Sequence, residues 1–223
     1  MLFYEERELP GQFTGVMAAR NAMEVLKSYH PETHDHSHRV MKISVDLGIE
    51  NEIRGRDLGV LALAALFHDI GKLNVPVEIL DKSGKLNESE WAAMEQHPLD
   101  GMLILNGLVD RSHIFSADYI EAGAVIERTH SWSRARSYPA HKASKETEMA
   151  ESFSQIISAS DKFDSLYQDR PYRNGLTLAE IQRELTSDFT GNPFFVQQVL
   201  RRHPQSGNIQ NGGLDVLAAQ TQH

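Results

Sequence analysis

Residues 58–72 read Leu58-Gly59-Val60-Leu61-Ala62-Leu63-Ala64-Ala65-Leu66-Phe67-His68-Asp69-Ile70-Gly71-Lys72. The run from Leu58 to Phe67 is the most apolar stretch of the chain, and Leu58, Leu61, Ala65 and Leu66 recur at helical spacing. It is far shorter than the roughly 20 residues that a membrane helix needs, so it reads as a buried helix of a water-facing protein. An imidazole beside a carboxylate makes poor core filler at the end of such a helix. It makes good metal-binding chemistry, because neighbouring His and Asp side chains at a helix end can aim two donors at one point.

Outward from this stretch the helical period continues. Phe13 to Tyr29 reads as a first helix. Pro31 and Glu32 open a second, with His36, Val40, Ile43 and Leu47 on one face and Gly48 as its stop. Asp57 is the expected cap of the third. Pro76 to Leu86 reads as a loop, and Asn87 with Glu90 as a capping box. Gly101 to Leu108, Ile114 to His130 and Met149 to Tyr167 are further helices. Ser131 to Thr147 reads as an exposed loop. Thr177 with Glu180, then Asn192-Pro193, start the last two helices. No alternating strand pattern and no glycine-rich phosphate loop stands out. The expected fold is all-α, a compact helical bundle over residues 1–203, with a polar tail at 204–223.

Composition narrows the chemistry. The 223 residues include 11 His and no Cys, so thiolate zinc sites and disulfides are excluded and any metal must sit on His and carboxylate. The formal charge of −9 argues against nonspecific DNA binding. The first ten residues carry three Glu and one Arg, unlike a secretory leader; the expected location is the cytoplasm, with no membrane partner.

A lone His on an apolar helical face is usually a hydrogen-bonded core residue. Here several stand in register with His68-Asp69. His36, His68, Asp69 and Asp161 make a four-donor N/O set suited to a transition metal. His97 and His130 add donors for a second ion, and Asp69 can bridge the two through its two oxygens. His34 and His38 flank His36 by two residues and should face away from it. His113, His141, His203 and His223 read as surface residues. Glu32 shares a helical face with His36; it can serve a further ion, or simply favour the helix dipole. Such a centre activates water for attack on phosphorus, which points to a hydrolase of phosphate esters.

These residues also resemble a known family. His36-Ser37-His38-Arg39-Val40, His68-Asp69-Ile70-Gly71-Lys72, Pro76, Ile79-Leu80, Lys82, Gly84, Leu86, Glu90, His97-Pro98, Gly101, Ile104-Leu105, Asp161-Lys162-Phe163-Asp164 and Arg170-Pro171-Tyr172-Arg173 follow the order seen in the HD superfamily of metal-dependent phosphohydrolases, and within it the HD-GYP domain. The resemblance covers about His36 to Leu200. It implies metal roles for His36, His68, Asp69, His97, His130 and Asp161, with iron or manganese as the usual ions. It implies phosphate contacts for Lys72, Arg170 and Arg173, and cyclic di-GMP as the substrate; another phosphate ester, or a non-catalytic receptor for a cyclic dinucleotide or a signalling protein, is the alternative.

In the catalytic reading, Asp69 and Lys72 act at the reacting phosphate. Tyr138 bonds or stacks against the nucleotide, and Asp164 orients Lys72 or touches substrate. The chain departs from the family at the signature His-His-Glu-x-x-Asp-Gly-x-Gly-Tyr-Pro. It reads Thr129-His130-Ser131-Trp132-Ser133-Arg134-Ala135-Arg136-Ser137-Tyr138-Pro139, which favours a binuclear over a trinuclear centre. Arg134 and Arg136 make the loop basic, equally compatible with an anionic contact and with a solvated loop. The apolar residues of the first helix are expected to pack on the bundle, a homodimer being the alternative.

Overall fold

The computed structural model describes residues 11–109, 116–138, 147–169 and 174–202. Among these, every regular element is helical: α1 (Gly11–Tyr29), α2 (Pro31–Glu50), α3 (Gly55–Phe67), a 3-10 turn (Ile70–Asn74), α4 (Val77–Leu80), α5 (Glu88–Glu95), α6 (His97–Gly107), α7 (Ser116–Ile126), α8 (Glu148–Tyr167), α9 (Leu178–Asp188) and α10 (Pro193–Arg202). Among the described residues the one β-type pairing is an isolated bridge between Ser133 and Phe189. The all-α expectation holds. The polar tail at 204–223 lies outside the described residues.

The apolar run decides the centre of the bundle. Val60, Leu61, Ala64, Ala65 and Phe67 of α3 are buried, and α3 packs between α2 and α7. α8 lies against α2 and α7 and contributes Phe153, Ile156, Ile157 and Phe163 to the same core. Capping boxes form at Asn87 with Glu90 and at Thr177 with Glu180. His30 serves as N-cap of α2, accepting from the Thr33 amide, with its Nε2 3.1 Å from Asp81. None of the described helices is long and apolar enough to cross a membrane.

Several boundaries differ from expectation for identifiable reasons. α2 runs through Gly48 to Glu50. Gly48 is a contact point instead of a stop: a Cβ there would lie 2.6 Å from Leu61 Cδ2, so the missing side chain lets α3 approach. Asp57 does not cap α3; Arg54 occupies the N-cap and Asp57 falls in the first turn, where its charge still suits the helix dipole. The expected loop after Pro76 holds the single turn α4. α7 ends at Ile126, and the amides of Arg128 and Thr129 then bond three residues back, to Val125 and Ile126. This tightening turns the chain out of the helix just before His130.

Gly71 is the tightest point. An added Cβ would lie 1.9 Å from the His97 carbonyl oxygen and 2.6 Å from the Gly101 amide nitrogen, both rigid backbone atoms. The turn after His68-Asp69 and the start of α6 can therefore touch only because this residue is glycine. Gly71→Ala should destabilise the protein by at least the ~1–3 kcal/mol typical of overpacking, read as a lower urea midpoint. Gly59→Ala, whose Cβ meets open space inside α3, should raise stability by about 0.5–1 kcal/mol. An unchanged midpoint for Gly71→Ala contradicts this reading of the contact.

Candidate metal centre

Five segments deliver the candidate residues to one place. α2 supplies His36, the turn after α3 supplies His68 and Asp69, the first residue of α6 supplies His97, the turn after α7 supplies His130, and α8 supplies Asp161 and Asp164. His36, His68, Asp69, His97 and Asp164 are buried.

Asp69 lies at the middle. Its Oδ2 faces His36 Nε2 at 3.8 Å and His68 Nε2 at 3.5 Å. Its Oδ1 faces His97 Nε2 at 3.3 Å and His130 Nε2 at 4.0 Å. The two donor clusters, His36/His68/Asp69 and Asp69/His97/His130, each have their ligand atoms within 4.8 Å of one another. Asp161 Oδ1 lies 3.0 Å from His36 Nε2, and its Oδ2 lies 3.9 Å from His130 Nδ1. The structure thus brings together all six residues expected at the centre. Glu32 belongs to neither cluster; it sits in the first turn of α2.

Hydrogen bonds behind the imidazoles fix which nitrogen points inward. His68 Nδ1 donates to the Ala65 carbonyl at 2.9 Å, and His97 Nδ1 to the Met94 carbonyl at 2.7 Å. A carbonyl only accepts, so both rings carry a proton on Nδ1 and turn Nε2 to the centre. His36 Nδ1 donates to Asp164 Oδ2 at 2.7 Å, and Arg39 grips the same carboxylate through Nε at 2.9 Å and Nη2 at 3.0 Å. This chain of support orients and strengthens a histidine donor. Asp164 therefore serves His36 and Arg39, and the expected bond to Lys72 is not made. Lys72 Nζ instead donates to Asp69 Oδ2 at 2.6 Å.

Several atoms are left in want of a cation. His68 Nε2 and Asp69 Oδ1 are buried with no hydrogen-bond partner. His97 Nε2 stands 3.3 Å from that oxygen. His97 Nε2 and His130 Nε2, 3.0 Å apart, share a hydrogen bond with each other. Orphaned buried donors of this kind are costly, and an N/O set of this composition suits a divalent transition metal. The residues fit such ions.

The electrostatics agree. Burial opposes ionisation of Asp69, but the Lys72 ammonium beside it holds its carboxyl well below the usual range. Asp161 is likewise held low, against burial, by its hydrogen bond to His36 and the charge of that imidazolium. Burial pushes His68 down, and burial with the neighbouring His97 pushes His130 down to about 3. Burial would lower His36 too, yet its bonds to Asp161 and Asp164 raise it to about 9. The centre offers anionic oxygens and, at His68 and His130, neutral imidazoles, with the His36 proton held where a cation would sit.

The altered signature loop closes one side. Tyr138 stacks on His130, with ring centroids 4.8 Å apart and planes 11° from parallel. Thr129 is buried, and its hydroxyl donates to the Ile126 carbonyl at 2.9 Å. Trp132 Nε1 donates to Ser154 Oγ. Asp188, at the end of α9, accepts from Ser133 Oγ and the Ala135 amide and also pairs with Lys162. Sequence reasoning missed Asp188, because nothing local marks a helix-terminal Asp as the partner of a loop over fifty residues away. Arg39 was more legible: it falls three residues after His36, close to the same helical face. Arg170 and Arg173 lie outside the described residues.

Comparison with known proteins agrees with this geometry. A family model described as HD domain matches residues 20–187. The chain is 30% identical over 190 residues, 85% of its length, to a 3'3'-cGAMP-specific phosphodiesterase 1 of Vibrio cholerae, of which it covers 38%. It is 35% identical over 158 residues, 70% of its length, to a cyclic di-GMP phosphodiesterase of Thermotoga maritima, of which it covers 40%. It is 30% identical over 143 residues, 64% of its length, to the cyclic di-GMP phosphodiesterase response regulator RpfG of Xanthomonas campestris, of which it covers 34%. The chain thus spans two fifths or less of the length of these relatives. With more than half of its residues matched by the model and the donor clusters in place, it belongs to the HD domain family.

Proposed function

We propose that this chain is a metal-dependent phosphodiesterase acting on a cyclic dinucleotide, with cyclic di-GMP as the substrate. The observation that carries the reading is the pair of buried donor clusters sharing Asp69. His36, His68, Asp69 and Asp161 would hold one ion, and His97 and His130, with Asp69 between, a second. Iron or manganese suits this N/O set. Ions bound there supply the activation of water and of phosphoryl oxygens that phosphate-ester hydrolysis needs.

The chain's own residues supply the rest. Asp164 and Arg39 hold His36 in place, and the Ala65 and Met94 carbonyls hold His68 and His97. Lys72 keeps Asp69 ionised and brings an ammonium beside the reacting phosphate, where it offsets charge growing on the phosphoryl oxygens. Tyr138 covers His130 and offers an aromatic wall to the nucleotide. Arg170 and Arg173 are assigned to substrate phosphate on the family resemblance. The Thr129 hydroxyl is committed to the Ile126 carbonyl, which supports a binuclear centre.

A second reading, a cyclic dinucleotide receptor without turnover, draws on one observation: the loop at 131–138 has lost both signature acids and is tied down through Asp188. Incubation of the manganese- or iron-loaded protein with cyclic di-GMP separates the two. The phosphodiesterase reading predicts a linear dinucleotide or GMP as product; tight binding with no product contradicts it.

Three substitutions test the assignment of roles. His68→Ala and Asp69→Ala should each lower metal content sharply in elemental analysis, and unchanged stoichiometry rules the residues out as ligands. Asp164→Asn should weaken metal affinity by about 10–100-fold, the usual cost of losing a carboxylate behind a ligating histidine. Competition with a chromophoric chelator measures it, and an affinity equal to wild type contradicts the positioning role.

A further inference from the structure

The two arginines of the altered loop have different fates. Arg136 is spent: its guanidinium pairs with Glu95 and lies over the Trp91 ring, 4.2 Å from the centroid. Arg134 is not. Its backbone amide donates to the Asp188 carbonyl at 2.8 Å, which anchors the residue beside the end of α9. Its guanidinium makes no hydrogen bond or ion pair among the described residues. Arg134 is one of the residues that line a cavity of about 600 Å³ between the loop, α8 and α9, whose walls also include Asp161, Lys162, Leu166, Glu184 and Leu185. That size falls within the roughly 300–1,000 Å³ of small-molecule sites.

Asp161 belongs to both the metal centre and the wall of this cavity, so the cavity adjoins the place where a phosphate ester would react. Lys162 cannot serve as its cation, because its ammonium is held by Asp188. A cyclic dinucleotide carries two phosphates on opposite sides of one ring. When one reacts at the centre, the other must lie away from it, and the unengaged guanidinium of a residue on the adjoining cavity's wall has the fork geometry that phosphate oxygens match.

Resting on the cyclic dinucleotide reading above, we infer that Arg134 binds the second, uncleaved phosphate of the substrate. It makes the site selective for a diester with two phosphates over a mononucleotide.

The test is calorimetric binding to the metal-loaded chain, with two probes: the hydrolysis-resistant bisphosphorothioate of cyclic di-GMP, and GMP, which has one phosphate. Arg134→Gln should weaken the dinucleotide by about tenfold, the scale of one charge-assisted contact, and change GMP affinity by less than about twofold. Arg134→Lys should recover part of the loss. The side chain is exposed, so both variants should melt with the wild type. Equal losses for the two probes, or no loss for either, overturn the assignment while the cyclic dinucleotide reading stands. Wild-type protein that binds GMP but not the dinucleotide overturns that reading, and the assignment with it.

Discussion

A single carboxylate sets the terms for this fold. Asp69 is buried, ionised, and surrounded by four imidazoles that turn their ring nitrogens toward it. A buried anion is tolerated only when positive charge compensates it. Lys72 compensates one oxygen at 2.6 Å; the other has no hydrogen-bond partner. Everything nearby serves this arrangement. The apolar run before Asp69 drives α3 into the middle of the bundle, and Gly71 lets the next turn sit against the backbone of α6, so that His97 arrives beside the carboxylate.

The surrounding helices act as a frame whose outer bonds are already satisfied. His68 and His97 are held from behind by backbone carbonyls, and His36 by Asp164, which is in turn held by Arg39. The orientation of the donors therefore does not depend on what they bind, and binding need not pay to organise them. The same frame accounts for the position of α8, which spans the site and presents Asp161 and Asp164 one turn apart on the face toward α2.

Much of this was legible in the sequence because it rests on local rules. The period of Leu58, Leu61 and Ala65 placed α3, and the capping boxes at Asn87 and Thr177 marked two helix starts. The isolation of His36, His97, His130 and Asp161 on apolar faces marked the donors. What was not legible depends on tertiary contacts. Gly48 reads as a stop, yet it is a helix crossing, since only the distance to Leu61 distinguishes the two. Asp164 reads as a partner of Lys72 by proximity to Asp161, but its helical position aims it at His36 instead. The two loop arginines look equivalent in sequence; Trp91 and Glu95 capture one and leave the other unpaired at the wall of a cavity.

The central claim is that Asp69 stands between two cations. Crystals of the chain loaded with manganese or iron, measured above and below the absorption edge of that metal, test it directly. Two anomalous peaks are expected, one on the His36/His68/Asp161 side of Asp69 and one on the His97/His130 side. An absence of peaks at Asp69, or ions bound elsewhere with His36 still sharing its proton with Asp161, would contradict it.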